Sequence, residues 1–180
     1  MLQPLKELEN FYDNSDPWGY EINPDDLKRK NIILSEIPER KYERVLDIGC
    51  GQGFITRDLP GKSIIGVDIS AKAIVQANFN QSQIHNRKNI SFIQSSIFEL
   101  TSHMSNTYDL IVITGVLYAQ YIGEGKTLIY KIVNQFLADD GILICSHIND
   151  WYTLRFPYLT LERYYFDYRE YTQCLEVYVK

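Results

Sequence analysis

"VLDIGCGQGF", Val45 to Phe54, places Gly49, Gly51 and Gly53 directly after an apolar run. Backbone without a Cβ permits unusual dihedral angles and lets a ligand come close to the main chain. The spacing is G-x-G-x-G. A dinucleotide fingerprint needs G-x-G-x-x-G, and the sixth place from Gly49 is Phe54. A P-loop fails too, because Gly61-Lys62-Ser63 lacks the upstream glycine and leads into a strand. Alone, the turn reads either as a ligand cradle or as a tight turn with no ligand. Asp68 weighs for the cradle. It sits at the end of "SIIGVDI", about twenty residues after the first strand, where a carboxylate can accept hydrogen bonds from both ribose hydroxyls. Together the two features favour an adenosine ligand.

Outward from this turn the chain alternates strand and helix. "RVLDI" is a short apolar run ended by Gly, and "FITRDLP" has helical character. "SIIGVDI" is a second strand, and Ser70 caps a helix over "AKAIVQANFNQSQ". "ISFIQ" is a third strand. "YDLIVIT" is a fourth, apolar enough to be buried on both faces. "KTLIYKIVNQFLADDG" has apolar residues at helical spacing and predicts a helix ended by Gly141, before a fifth strand, "GILICSHI". After Pro157, "ERYYFDYREY" and "TQCLEVYVK" are β-rich and predict an antiparallel pair. Upstream, "FYDNSDPWGYEINP" is rich in turn formers and reads as a loop. Asn23, Pro24, Asp25 and Asp26 form a helix start, and Pro38 stops the helix at Ile37. Such alternation predicts an α/β fold with a parallel sheet and helices on both faces. Ligands then bind beyond the C-terminal strand ends.

The segments "VLDIGCGQGFIT", "GVDIS" and "YDLIVITGVLYAQ" resemble the class I S-adenosylmethionine-dependent methyltransferases, over roughly residues 41–148. "DPWGYEINPDDLKRKNIILSEIPERKYERVLDIGC" is similar to the start of the nodulation protein S-like small-molecule branch. The resemblance implies a Rossmann-like, seven-stranded sheet of order 3-2-1-4-5-7-6 with the last strand antiparallel. It implies S-adenosyl-L-methionine as cofactor. Asp47, Gly49, Gly51 and Gly53 would surround the methionine part, with Thr114, Gly115 and Val116 lining the same side. Asp68 would take the ribose and Ile69 would pack on adenine. Ser96 stands where the family often has an acid near the adenine amine, and Ile97 offers its backbone there. Gly115 replaces another frequent acid.

The 180 residues suit one methyltransferase domain spanning 1–180, with the loop and helix of residues 1–40 as a lid. Net charge is −5, so the basic footprint expected for nucleic acid or an anionic membrane is missing. No apolar stretch reaches the roughly 20 residues of a spanning helix. "MLQPLKELEN" lacks the apolar core of a secretory signal, and Cys50, Cys145 and Cys174 form neither a CxxC pair nor a metal spacing. These features predict a cytoplasmic protein with reduced thiols and no metal.

His147, in "CSHIND" at the end of the fifth strand, is the one candidate base; its competing reading is a partly buried, structurally satisfied histidine. His85 and His103 lie in polar stretches. Trp18, Tyr20, Tyr118 and Tyr121 are candidates for the substrate side or lid, against ordinary packing. The cluster Lys28-Arg29-Lys30 could hold the cofactor carboxylate or form a solvated face. The crowded tyrosines of the C-terminal segment read as strand-face packing. Three function classes follow. The first is a methyltransferase acting on N or O of a small molecule, in the range of sugars and amino sugars. The second is a nucleic-acid or protein methyltransferase, although "ITGVLYAQ" stands where a [DN]-P-P-[YFW] motif would be. The third is a non-catalytic cofactor-binding subunit serving a protein partner, suggested by the short "NDWYTLRFP" connection.

Overall fold

The computed structural model describes residues 2–84, 89–151 and 155–180, so the expectation for His85 lies outside the described residues. The elements are α1 (Leu5–Phe11), α2 (Pro24–Ser35), β1 (Arg44–Ile48), β2 (Ser63–Asp68), α3 (Ala71–Ser82), β3 (Asn89–Gln94) and α4 (Leu100–His103). They continue with β4 (Tyr108–Thr114), α5 (Ala119–Ile122), α6 (Lys126–Phe136), β5 (Leu137–Ile148), β6 (Leu159–Tyr168) and β7 (Tyr171–Val179). The strands form one seven-stranded sheet of order β3-β2-β1-β4-β5-β7-β6. β1 to β5 run parallel, and β7 is antiparallel to both β5 and β6. This is the predicted order.

Alternating side chains divide the core between the two faces of the sheet. Leu46, Ile111 and Leu143 pack with Phe136 and Ile129 of α6 on one face. Val45, Leu110 and Ile144 pack with Ile33 of α2 and Leu59 on the other. Helix starts follow local chemistry. Asn23 Oδ1 accepts from the Asp25 N–H at 2.9 Å, with Pro24 in the first helical turn. Ser70 Oγ accepts from the Ala73 N–H at 3.1 Å.

Three expectations change. α6 stops at Phe136, and Leu137 to Asp140 already belong to β5 rather than to the helix. Leu137 is fully buried and pairs with Tyr108, and Arg40 donates to the Asp140 carbonyl at 2.7 Å. "FITRDLP" makes only one 3-10 turn, Thr56–Asp58. Seven residues ending in Pro60 leave little room for a helix, and the Thr56 hydroxyl is drawn inward to Asp47 at 2.6 Å. α1 went unforeseen; its seven residues bury none of their side chains fully, so it carries no strong apolar stripe. Among the described residues no helix is long and apolar enough to cross a membrane.

Candidate active site

A cavity of about 470 Å³ opens beyond the C-terminal ends of β1, β2, β4 and β5. The glycine turn after β1 forms its base. The N–H groups of Gly49 and Cys50 both donate to the Val67 carbonyl, at 2.8 and 3.0 Å, which ties the turn to β2. A Cβ on Gly49 would fall 2.0 Å from Val116 Cγ2, so no side chain fits there. Gly51 adopts φ +52°, and a Cβ on it would lie 3.1 Å from the Tyr12 hydroxyl. Gly53 does not line the cavity. Its missing Cβ faces Phe92 of β3 at 3.0 Å, so it packs the turn against β3.

Asp68 Oδ2 accepts from the Gly51 N–H and Oδ1 from the Ser70 N–H, both at 2.9 Å. Each oxygen keeps a second lone pair. Burial raises the pKa of this carboxyl, and the two N–H bonds partly offset the rise. Ile69, 40% exposed, lines the cavity beside it, as do Ser96 and Ile97. The Ser96 hydroxyl oxygen accepts from the Phe98 N–H at 3.3 Å, capping a short 3-10 turn. Thr114, Gly115 and Val116 line the wall after β4.

Deeper in, Asp47 is 1% exposed. Its Oδ2 accepts the Thr56 hydroxyl, and its Oδ1 has no partner among the described residues. Burial pushes its pKa up to about 7; the Thr56 bond and the charge of Arg29 act against the rise, and Asp68 adds to it. Arg29 is no part of a solvated face. It is 6% exposed, lies 5.4 Å from the Tyr20 ring and 5.3 Å from the Tyr168 ring, and pairs with Asp26 at 3.3 Å. Asp26 is fully buried, and Arg169 and the Tyr168 hydroxyl also donate to it, at 2.6 and 2.7 Å. Arg29 Nε has no partner among the described residues. Asp47 and Arg29 thus both line the cavity, carry opposite charge, and each keep one buried polar atom unmatched among the described residues. A zwitterionic amino-acid group supplies an ammonium for the first and a carboxylate for the second. The cradle therefore fits the methionine end of S-adenosylmethionine.

The N-terminal segment lies across the opening. Trp18 stacks between Phe11 and Tyr20 at 5.8 and 5.6 Å, and Tyr20 stacks on Phe54 at 5.6 Å. Glu9 of α1 accepts from the Ser70 hydroxyl and from the Ala71 N–H at 2.9 and 2.7 Å, capping α3 from outside. Asp13 pairs with Lys72, and Glu21 with Arg57.

The other wall comes from the chain after β5 and from the β6–β7 turn: Trp151, Tyr168, Arg169, Glu170, Tyr171 and Gln173. Sequence reasoning assigned these tyrosines to packing and missed Gln173, because only the antiparallel return of β7 brings them to the rim. Tyr118 and Tyr121 line the cavity too, and the Tyr118 hydroxyl accepts from the Ile148 N–H at 2.9 Å.

His147 is not on this rim. It is 3% exposed, does not line the cavity, and pairs with Cys174 across the β5–β7 ladder. Strand alternation turns it to the face opposite Ser146, which bonds Gln173. Burial and the Arg163 charge lower its pKa to about 4. The ligand atoms of His147, Cys174 and Glu176 lie within 4.8 Å of one another, but Arg163 holds the Glu176 carboxylate at 2.6 Å. His103 is exposed.

A methyltransferase-domain family model matches residues 39–176. The ubiquinone biosynthesis O-methyltransferase of Rickettsia canadensis (strain McKiel) is 28% identical over 160 residues, which is 80% of this chain and 63% of that protein. The chain thus spans less than two thirds of that relative's length. The N-methyltransferase NodS of Bradyrhizobium japonicum WM9, solved with S-adenosyl-L-homocysteine, superposes with a TM-score of 0.79 at 21% identity, covering 98% of this chain and 97% of NodS. A chain of the complex between the Haloferax volcanii Trm112 methyltransferase activator and its methyltransferase partner reaches 0.72 at 14% identity, covering 98% and 97%. The motif order, the sheet order and the family match agree: the chain belongs to the methyltransferase-domain family and has the class I S-adenosylmethionine-dependent methyltransferase fold.

Proposed function

We propose that this protein is an S-adenosylmethionine-dependent methyltransferase acting on N or O of a small molecule, in the range of sugars and amino sugars. The observation that carries the proposal is that Asp47 and Arg29, each with an unmatched buried polar atom, line one cavity with Asp68. Asp47 holds the ammonium and Arg29 the carboxylate of the methionine part. Asp68 accepts from the ribose through its free lone pairs, while Ile69, Ser96 and Ile97 bracket the adenine. Residues 1–180 form one methyltransferase domain in which residues 1–40 serve as the lid.

When bound, the cofactor supplies a sulfonium methyl group that is already activated. The chain's task is to hold a nucleophile in line, and such positioning is worth about 7–11 kcal/mol. Trp18 and Tyr20 exclude water above the reacting atoms. Tyr118 fixes the end of β5 through the Ile148 N–H and so fixes the opposite wall. Calorimetry with S-adenosylmethionine and S-adenosylhomocysteine tests the cofactor, with binding of both expected; binding of NAD instead would sink the proposal. A screen for transfer of a labelled methyl group into fractionated cell extract identifies the acceptor fraction.

A second reading, a cofactor-binding subunit for a protein partner, draws on the edge strand β6, where Leu159, Leu161 and Tyr165 are exposed. Methyl transfer by the isolated chain decides against it.

A further inference from the structure

β5 contains Cys145-Ser146-His147 and β7 contains Cys174-Leu175-Glu176. In each triplet the outer two residues share one face of the sheet, because strand side chains alternate. The antiparallel ladder sets Cys145 opposite Glu176 and His147 opposite Cys174, which makes a two-by-two block of ligand-type side chains. Neither triplet is a metal motif by itself, and only the pairing of β5 with β7 joins them. Cys145 is fully buried, and His147, Cys174 and Glu176 are each 3% exposed or less. One ligand atom each from His147, Cys174 and Glu176 lie within 4.8 Å of one another. The fourth thiol is close as well: burial, with the charges of Glu176 and Cys174, holds Cys145 well above the usual thiol range.

We infer that this block is a structural zinc site with Cys145, Cys174, His147 and Glu176 as its four ligands. Thiolate, imidazole and carboxylate are the donors that zinc takes, four at a time in closed sites, while magnesium and calcium take oxygen. Bonds of about 2.0–2.3 Å place tetrahedral donors roughly 3.3–3.8 Å apart, so His147, Cys174 and Glu176 need to close by only about an ångström. Arg163 does not stand in the way. Its Nε and Nη2 both approach Glu176 Oε1, at 2.9 and 2.6 Å, and a carboxylate has a second oxygen to offer. Ligating carboxylates are themselves held by outer hydrogen bonds. Buried charge balances in both states. Without the ion, both thiols are protonated and Glu176 is neutralised by Arg163. With it, the two charges of zinc are met by two thiolates, as both S–H protons leave to solvent and two Zn–S bonds form. The ion would pin β7 to β5, and β7 is the strand that brings Tyr171 and Gln173 to the cavity wall.

The test uses the full chain, expressed with zinc supplied and purified without chelator. Elemental analysis should find about one zinc per chain, and Cys174→Ser should lose it. The native chain is then stripped with dipicolinate and titrated with cobalt(II). It should show thiolate-to-cobalt charge transfer in the near ultraviolet and the strong visible bands of a tetrahedral ion. Cys145→Ser should lose about half of the charge-transfer intensity, since one of two thiolates remains. Absence of both ions from the native chain, or bound cobalt without the thiolate band, overturns the inference with no variant needed. Full zinc content in Cys174→Ser, or an unchanged charge-transfer band in Cys145→Ser, overturns it too.

Discussion

The Asp68 carboxylate and the Gly51 N–H are joined at 2.9 Å, so the acid at the tip of β2 holds the turn that follows β1. One side chain thereby shapes the cradle, and in the proposed function it also accepts from the ribose. Asp68→Ala should cost more than a lost ribose contact, because the turn is released as well. We expect cofactor affinity to fall by about 1–3 kcal/mol. Asp68→Asn keeps one acceptor oxygen and should lose less. Calorimetry with S-adenosylhomocysteine measures both, and an unchanged dissociation constant for Asp68→Ala would remove the residue from the site.

Gly51 tests the turn from the other side. At φ +52° a Cβ costs about 1–2 kcal/mol, and it also meets the Tyr12 hydroxyl at 3.1 Å. Gly51→Ala should weaken cofactor binding with the sheet intact by circular dichroism. Adding Tyr12→Phe removes the crowding oxygen and should recover part of the loss. No recovery would mean that the backbone angle alone sets the defect.

The N-terminal segment is held to the body by Glu9, which caps α3 through Ser70 and Ala71. Glu9→Ala should cost about 1 kcal/mol, the usual value of a helix cap. It should also speed proteolysis within residues 1–20, and S-adenosylhomocysteine should slow that cleavage again. Equal cleavage rates in variant and native protein would contradict a lid tied at this point.

The cradle was legible because its chemistry is local: three glycines, an apolar strand and an acid at the next strand tip. The alternation of strands and helices gave a parallel sheet, and its order came from the family resemblance alone. The wall formed by the β6–β7 turn was not legible. Tyr168, Tyr171 and Gln173 are far in sequence from the turn, and β7 brings them to the rim only by pairing with β5. Arg29 was legible in part. The sequence left the Lys28-Arg29-Lys30 cluster open between a carboxylate holder and a solvated face, and only Asp26, Tyr20 and Tyr168, by burying Arg29, single it out. Gly53 is the glycine of the motif whose missing Cβ makes room for Phe92, a contact the local sequence does not show.

Asp47 gives a pH signature. Its folded pKa is about 7, against 3.8 for the free side chain, chiefly through burial. A raised carboxyl pKa contributes stability that is full below about pH 4 and is lost as pH rises toward 7. Asp47→Asn should therefore raise the Tm of the cofactor-free protein at pH 8, and its advantage should vanish at pH 4. The same substitution should weaken cofactor binding, because the ammonium loses its partner. In the native protein, binding below pH 7 should release a proton, seen as a calorimetric enthalpy that varies with the buffer's ionisation enthalpy. Identical enthalpies across buffers would show Asp47 already ionised.

His147 works in the opposite direction and separates catalysis from structure. Burial and Arg163 lower its pKa to about 4, from 6.5 in the free side chain. A lowered histidine pKa contributes stability that is present above about pH 6.5 and is lost as pH falls through 4. His147→Leu removes this titration, so its Tm should fall less steeply than that of the native protein between pH 6.5 and 4. A catalytic base would behave otherwise: its loss typically costs about 10²–10⁴-fold in turnover. His147 does not line the cavity, so kcat at pH 7.5 should change far less, and the S-adenosylhomocysteine affinity should hold. A drop of that size in a folded variant that still binds S-adenosylhomocysteine would return His147 to the reaction. It would require the end of β5 to turn its other face to the cavity during turnover, a change the β5–β7 ladder from Ile142 to Ile148 opposes with its continuous pairing.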